Sequence, residues 1–490
     1  MRAGVQYRRT ILFLFSLVLL IGLITSCDRS DLLETDPASK LEFSRDTIIF
    51  DTVFTTIGTA TRNLRVYNPH SRKIRISEIR LARGQNSPFS LNVDGQPMPN
   101  FVQDLEIASG DSMFIFIRAN IDPADQSGPM IETDSIVFVT NNNHQDVKLV
   151  AWGEDAYFYP NMLLQGDLEL GNDKPHVFYG VAIVDTTSSL TINPGTRLHF
   201  HRGSFMAVLQ HASLKVMGTP EAPVIFQNDR REMYYRNLPG QWGHPTAGVC
   251  IYLAPGSINN EIHHTIIKNG IVGIQVDTLG NSSEPTLKLY NSEIRNMSGI
   301  GLLARGTHIE AGNTVIANCG ENAIAILYGG EYDFRHMTIG NYWNRTARQE
   351  PAVFINNYFF FENNVFARDL IKAYFGNSII YGNLQDELGL DPAENGQFNF
   401  TFDHCFIRTR MEVAGDPNFI SVTVNEDPLF IDTSIHDLIP DTLSPAINAG
   451  SISVINNAPF NLTHDIRGIS RSGSEAPDLG AYEFPGIRKK

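Results

Sequence analysis

Apolar and polar positions alternate strictly over residues 46–153, in Leu64/Val66, Ile74/Ile76, Phe89/Leu91/Val93, Phe114/Phe116, Ile136/Phe138 and Val147/Leu149. Period two with one polar side marks half-buried antiparallel strands. Asn68-Pro69, Arg83-Gly84, Asp94-Gly95, Ser109-Gly110 and Asn141-Asn142-Asn143 punctuate them as turns. Seven or so short strands over about 105 residues predict an Ig-like β-sandwich. From residue 154 the rhythm changes. Ile266-Ile267-Lys268-Asn269 is echoed by Glu293-Ile294-Arg295-Asn296, Val315-Ile316-Ala317-Asn318 and Thr338-Ile339-Gly340-Asn341, with the asparagines 27, 22 and 23 residues apart. A unit of that length cannot bury its own apolar side and must stack on copies of itself. β-branched runs ending in Asn predict short parallel strands joined by tight turns, hence a β-solenoid over 154–440.

The same coil length is visible upstream. Leu190 to Leu214 spans 24 residues and Phe200 to Phe226 spans 26. Ser378 to Asn383 and His404 to Ile407 read as later rungs, but insertions hide the register between 345 and 440. Asn tolerates the left-handed conformation and can bond neighbouring backbone. The asparagine row therefore reads as structural corners, not as catalytic groups.

Residues 1–26 stand apart from any domain. Arg2, Arg8 and Arg9 precede an apolar run from Ile11 to Ile24, which ends in Thr25-Ser26-Cys27. A run this short, followed at once by polar sequence, reads as a signal peptide rather than a permanent span. Residues 27–45 read as a tether. The full chain of 490 residues has a formal charge of −15, and loss of the three leader arginines makes it more acidic still. That balance argues against nucleic acid and against a broad polyanion-binding face. Cys250, Cys319 and Cys405 sit in apolar contexts with no metal-ligand spacing, so buried free thiols are expected. The sequons at Asn281, Asn296, Asn344 and Asn461 read as chance occurrences.

Small residues before Cys27 resemble the lipobox of bacterial lipoproteins, in which the cysteine carries lipid. The acidic residues after it are similar to those of surface-exported Bacteroidetes lipoproteins, and four Asp-Thr or Asp-Ser pairs before an apolar residue resemble the O-glycosylation motif of that group. They begin at Asp46, Asp51, Asp111 and Asp134. The sandwich resembles the ASH type of Ig-like domain, through Phe54 to Gly58, Leu64 to Asn68, Ile79 to Leu81, Ser109 to Ser112 and a closing strand from Val147 to Trp152. That resemblance implies a spacer or docking module. The solenoid resembles the right-handed parallel β-helix (pectate-lyase-like) superfamily, and more narrowly the β-helix lipoproteins of Bacteroidetes. Gly240 to Gly243, Asp427 to Phe430, Leu443 to Gly450, Asp465 to Gly468 and Asp478 to Phe484 carry the narrower likeness. It implies that residues 441–490 form a cap folded over the last coil.

The fold resemblance brings polysaccharide lyases and glycosidases into question. Polygalacturonase-like enzymes carry Asp-Asp, His-Gly and Arg-x-Lys motifs. This chain has neither of the first two, and its Arg488-Lys489-Lys490 is terminal. Phe402-Asp403-His404 is faintly similar to the Asp-His signature of pectate lyases, which leaves Asp403 and His404 as the catalytic candidates. Ca²⁺ is left open without a motif to support it, and no other cofactor is expected. His199 and His201 share one side of a strand and are expected to be solvated or hydrogen-bonded at the surface, since no third metal ligand is evident. His263 and His264, being adjacent, are expected to point to opposite sides. Aromatics in insertions are the stronger lead, because sugar rings present apolar C–H surfaces to them. Tyr234, Tyr235, Trp242, Tyr342 and Trp343 are the candidates, with Arg345 as a partner for hydroxyls or carboxylates. The competing expectation is that these loops fold back and bury their aromatics. The run Tyr358-Phe359-Phe360-Phe361 is expected in the core or at an oligomer contact.

The combined expectation is an all-β envelope protein held to the membrane by lipid on Cys27, at the outer membrane. It would bind a polysaccharide or a surface partner without catalysis. The alternatives are a carbohydrate-active enzyme and a structural or adhesive protein. Two carboxylates converging about 5–10 Å apart in a groove would mark a hydrolase. An aromatic strip without such a pair would mark a binder.

Overall fold

The computed structural model describes residues 32–51, 53–54, 59, 61–98, 101–121, 129–277, 283–362, 364–471 and 476–484. Cys27 and its leader, Thr52, the run 55–58, Asn281 and the basic C-terminus lie outside them. The chain divides into two compact units, Met1–Asp155 and Ala156–Lys490.

The first unit is an Ig-like sandwich of a seven-stranded and a five-stranded sheet. Leu64, Val66, Ile74, Ile76, Phe89, Leu91, Val93, Ile136, Phe138, Val147 and Leu149 form its core, as their alternation predicts. Phe114 and Phe116 do not. In strand Ser112–Ala119 both sides are apolar, so period two alone cannot choose between them. Met113, Ile115 and Ile117 fill the core, while Phe114 and Phe116 stack outside at 6.3 Å with Arg65 over the Phe114 ring.

The second unit is a parallel β-helix whose strands join in one 26-stranded sheet. Its coils have three faces. The first face stacks Phe205–Val208, Val249–Leu253, Val272–Asp277, the starts of Leu302–Gly312 and Ile324–Arg335, then Val353–Asn356 and Leu388–Asp391. The second face includes Asn260–His263, Leu287–Tyr290, the ends of the same two long strands, Leu370–Gly376 and Phe398–Asp403. The third face carries the Asn-ended phrases, from Arg197–Phe200 to Thr423–Val424. There Leu198, Phe226, Ile267, Ile294, Ile316, Ile339, Ile380 and Ile407 form one in-register column, each fully buried. Burial of each such side chain stabilises by about 1.5–3 kcal/mol. The upstream register differs by two residues from the Phe200–Phe226 spacing, because Phe226 aligns with Leu198 and Phe200 with Asn228.

Two corner columns turn the chain. After the third face, Asn269, Asn296 and Asn318 adopt φ of 67°, 57° and 54°. Their amides form a ladder: Asn269 Nδ2 donates to Asn228 Oδ1 at 2.8 Å, Asn296 Nδ2 to Asn269 Oδ1 at 3.3 Å, and Asn318 Nδ2 to Asn296 Oδ1. Asn341 continues differently, accepting from Cys319 N at 2.9 Å. Between the second and third faces, His264, Asn291, Asn313, His336, Asn377, His404 and Ser421 all have φ between 41° and 52°.

The C-terminal segment was expected to fold over the last coil; its packing is lateral. Leu438, Ala446, Leu479, Ala481 and Tyr482 cover Val315, Ala317, Ile379, Tyr381 and Phe406 on the outside of the third face. Ala481 N donates to Thr338 Oγ1 at 2.9 Å, and the buried Arg471 reaches Asn313 Oδ1 at 3.1 Å and Glu483 at 2.6 Å. Both sides of these strands are therefore buried, which explains why Val315–Cys319 and Ile379–Gly382 read as near-continuous apolar runs.

Replacing Asn296 by Ala forces a Cβ-bearing residue without a local hydrogen bond into the left-handed region and leaves the Asn318 amide unpaired. The expected loss is about 2–4 kcal/mol in urea unfolding. Asn296→Gly keeps the backbone conformation and should lose less.

Candidate functional site

The corner between the first and second faces is built differently. The long strand Ile324–Arg335 crosses it without a break, bending at Tyr328, Gly329 and Gly330, with φ of 66°, 66° and 118°. A Cβ at Gly329 would meet Asp369 O at 2.4 Å, and one at Gly330 would meet Thr307 O at the same distance. Glycine is thus required where the backbones approach. Tyr328 is a bulky residue in the left-handed region, a strained state that needs support. Asn356 supplies it, accepting from Tyr328 N at 2.9 Å.

This bend borders a cleft of about 690 Å³, lined in part by Asp277, Arg305, Tyr328, Phe354, Tyr358 and Asp391. The register aligns Asp277, Arg305 and Leu327 over three successive rungs, and Asn356 with Asp391 over the next two. Asp277 is buried and engaged on both oxygens by the Arg305 guanidinium, with Nε at 2.7 Å, and it also accepts from Gln275 at 2.9 Å. Tyr358 donates to Asp391 at 2.5 Å.

One wall is an antiparallel hairpin, Tyr358–Phe361 with Asn364–Ala367, inserted at the corner. The run 358–361 is neither core nor rung: Phe359, Phe360, Phe361, Val365 and Phe366 are exposed, Phe360 by 68%. Phe359 meets Tyr328 edge-on at 4.5 Å, and Tyr358 meets Phe360 edge-on at 5.3 Å. The Arg368 guanidinium lies 5.0 Å from the Tyr328 ring centre. Phe354 is an outward rung position next to Gly389, which leaves its ring room.

The residues singled out from sequence lie elsewhere. Trp242 is 1% exposed and stacks on Phe200 at 4.4 Å, with Nε1 donating to Lys268 O, so neither ring surface is open to a ligand. Trp343 is 5% exposed and donates to Thr346. Tyr342 packs edge-on to Phe430 under the C-terminal segment. These three follow the fold-back expectation. Tyr234 is 73% exposed, and Tyr235 carries Arg230 over its ring at 4.0 Å. Arg345 joins this loop by donating to Asn237 O at 3.0 Å. Asp403 and His404 belong to a corner: His404 is the left-handed residue, its Nδ1 lies 2.6 Å from Asp403 Oδ1, and Asp403 also accepts from Tyr374 at 2.8 Å. His201 is exposed and pairs with Asp229 at 2.7 Å, whereas His199 is buried rather than solvated, with its Nδ1 3.1 Å from Asn228 O. His263 and His264 line one cavity instead of pointing apart, since the left-handed turn at His264 breaks the alternation. Cys250, Cys319 and Cys405 are buried and free, and burial pushes the latter two thiols up to about 12. Among the described residues no group of three or more His, Cys, Asp or Glu is arranged to hold a metal ion.

No family model matches the chain, and no curated protein matches it. Among solved structures, pectate lyase Pel9A matches at 14% identity, over 61% of this chain and 88% of that one, with a TM-score of 0.27. An ASH/PapD-like domain of human CEP192 matches at 12% identity, over 25% of this chain and 89% of that one, with a TM-score of 0.17. A family 123 glycoside hydrolase from Clostridium perfringens matches at 9% identity, over 25% and 30%, with a TM-score of 0.16. Scores this low carry no function to this chain.

Burial holds the His199 imidazole down to about 3 and His336 well below its ordinary value. Both are neutral when folded and take a proton near pH 6.5 when unfolded. Their contribution is complete above that pH and is lost as pH falls toward the folded values. The urea midpoint should drop between pH 7 and pH 4.5, with His199 alone accounting for about 2–3 kcal/mol of the loss. His199→Gln should flatten that dependence.

Proposed function

We propose that this chain is a lipid-anchored protein of the bacterial cell envelope, held by Cys27. Its β-helix binds an extended, largely neutral glycan along the cleft beside the 358–367 hairpin and does not cleave it. The observation that carries this reading is the spacing of the cleft's carboxylates. Asp277 and Asp391 are four rungs apart, about 19 Å at the usual strand spacing. Paired carboxylates that cleave glycosidic bonds stand about 5–10 Å apart. Asp277 is further committed to Arg305, which leaves the cleft little net charge for a polyuronate. What remains is a row of aromatic rings with amide and carboxylate groups at rung intervals, suited to a polymer whose sugar rings repeat along the helix axis.

The test uses protein lacking residues 1–27 and a panel of neutral and acidic polysaccharides. Retention on a neutral polymer is expected, with no unsaturated product and no new reducing ends. Phe354→Ala and Phe360→Ala should each weaken retention by about five- to thirtyfold. Product of either kind would overturn the non-catalytic reading, and retention unaffected by both substitutions would move binding out of the cleft.

A further inference from the structure

A second concavity lies where the C-terminal segment crosses the corner between the second and third faces. It has a volume of about 370 Å³, within the range of small-molecule pockets. The barrel contributes His263, His264, Tyr290 and Asn291, and the C-terminal segment contributes Phe460 and His464. Two constraints shape it. Asn313 Nδ2 donates to Asn291 Oδ1 at 3.0 Å and to His464 O at 2.8 Å, which ties the segment to the corner and fixes the Asn291 amide. The Tyr290 hydroxyl donates to Glu310 at 3.0 Å, and its ring packs against Phe460 at 4.7 Å.

The chemistry of the lining narrows the ligand. Asp465, the carboxylate of the pocket, is consumed: its oxygens accept from the backbone of Arg467 at 2.8 Å, Ile469 at 2.7 Å and Glu483 at 2.9 Å. No arginine or lysine lines the pocket. The His264 ring and the Asn291 NH₂ have no hydrogen-bond partner among the described residues. An imidazole and an amide both donate and accept, as a hydroxyl does, so these two half-buried groups can pair with the hydroxyls of a ligand. The Tyr290 and Phe460 rings supply apolar surface for a C–H face.

We propose that this pocket is a second binding site, separate from the cleft, that takes a single neutral polyhydroxylated ring of pyranose size. Because its walls come from the barrel and from the C-terminal segment, occupancy also clamps that segment to the third face.

The full chain would be titrated with a panel of methyl hexopyranosides by calorimetry and by thermal unfolding, with inorganic phosphate and galacturonate as anionic controls. At least one neutral glycoside should bind and raise the unfolding temperature. His264→Gly retains the left-handed corner and removes the ring, and it should weaken that binding about tenfold or more. Phe460→Ala, in the C-terminal segment, should do the same and carries the test if the corner variant fails to fold. Phe360→Ala, in the cleft, should leave it unchanged. The proposal is overturned if no neutral glycoside binds or if the anions bind as tightly. It is also overturned if only Phe360→Ala reduces binding, which would assign the sugar to the cleft.

Discussion

Every coil of the β-helix depends on corners that a backbone can turn with one residue. A parallel strand must be followed by its in-register neighbour about 4.8 Å away, and a short coil has no room for long connections. The solution at two corners is a single residue at positive φ, mostly Asn or His, repeated rung after rung. At one of them the side chains bond each other, so the Asn228–Asn269–Asn296–Asn318 amides pair along a buried row. The isoleucine column behind them stays in register because these corners do.

That constraint separates what the sequence declares from what it hides. The phrases ending in Asn269, Asn296, Asn318 and Asn341 mark the solenoid directly, since a left-handed corner has few tolerated residues. The sandwich was equally legible wherever only one side of a strand was apolar. It failed at Phe114 and Phe116, where both sides are apolar and the tighter-packing aliphatics took the interior. The site was much less legible. The tryptophans attracted attention as large aromatics in loops, yet Trp242 completes the barrel's own aromatic stack. The rungs from Asp277 to Asp391 are spread over more than a hundred residues, and only their stacking brings these groups to one cleft. The one local signal was Tyr358-Phe359-Phe360-Phe361, whose apolar run fits a core strand as well as an exposed hairpin.

The C-terminal segment shows a related trade. The third face between Val315 and Phe406 is apolar on its outside as well as its inside, so it needs a cover. Asp465 and Asp478 are committed to the segment itself, accepting its backbone N–H groups, Asp478 from Asn448 at 2.7 Å. A pattern that looks like a chemical motif in sequence thus serves to fold irregular backbone tightly against a flat sheet. Where that irregular backbone meets the corner column it leaves a pocket.

The spacing of rungs finally bears on catalysis. In a parallel β-helix, two groups in one column are separated by multiples of about 4.8 Å, so within a column a carboxylate pair suited to glycoside cleavage comes from adjacent or next-adjacent rungs. The rung after Asp277 offers Arg305 in that column, and the next offers Leu327. Arg305 occupies both oxygens of the Asp277 carboxylate. At the other end Asp391 is next to Asn356, which is already holding Tyr328 in its strained turn. Asn356 and Asp391 are thus spent on positioning Tyr328 and Tyr358 of the aromatic wall. In that column the carboxylates are committed to architecture, and the strained turn at Tyr328 sets its ring against the hairpin's Phe359.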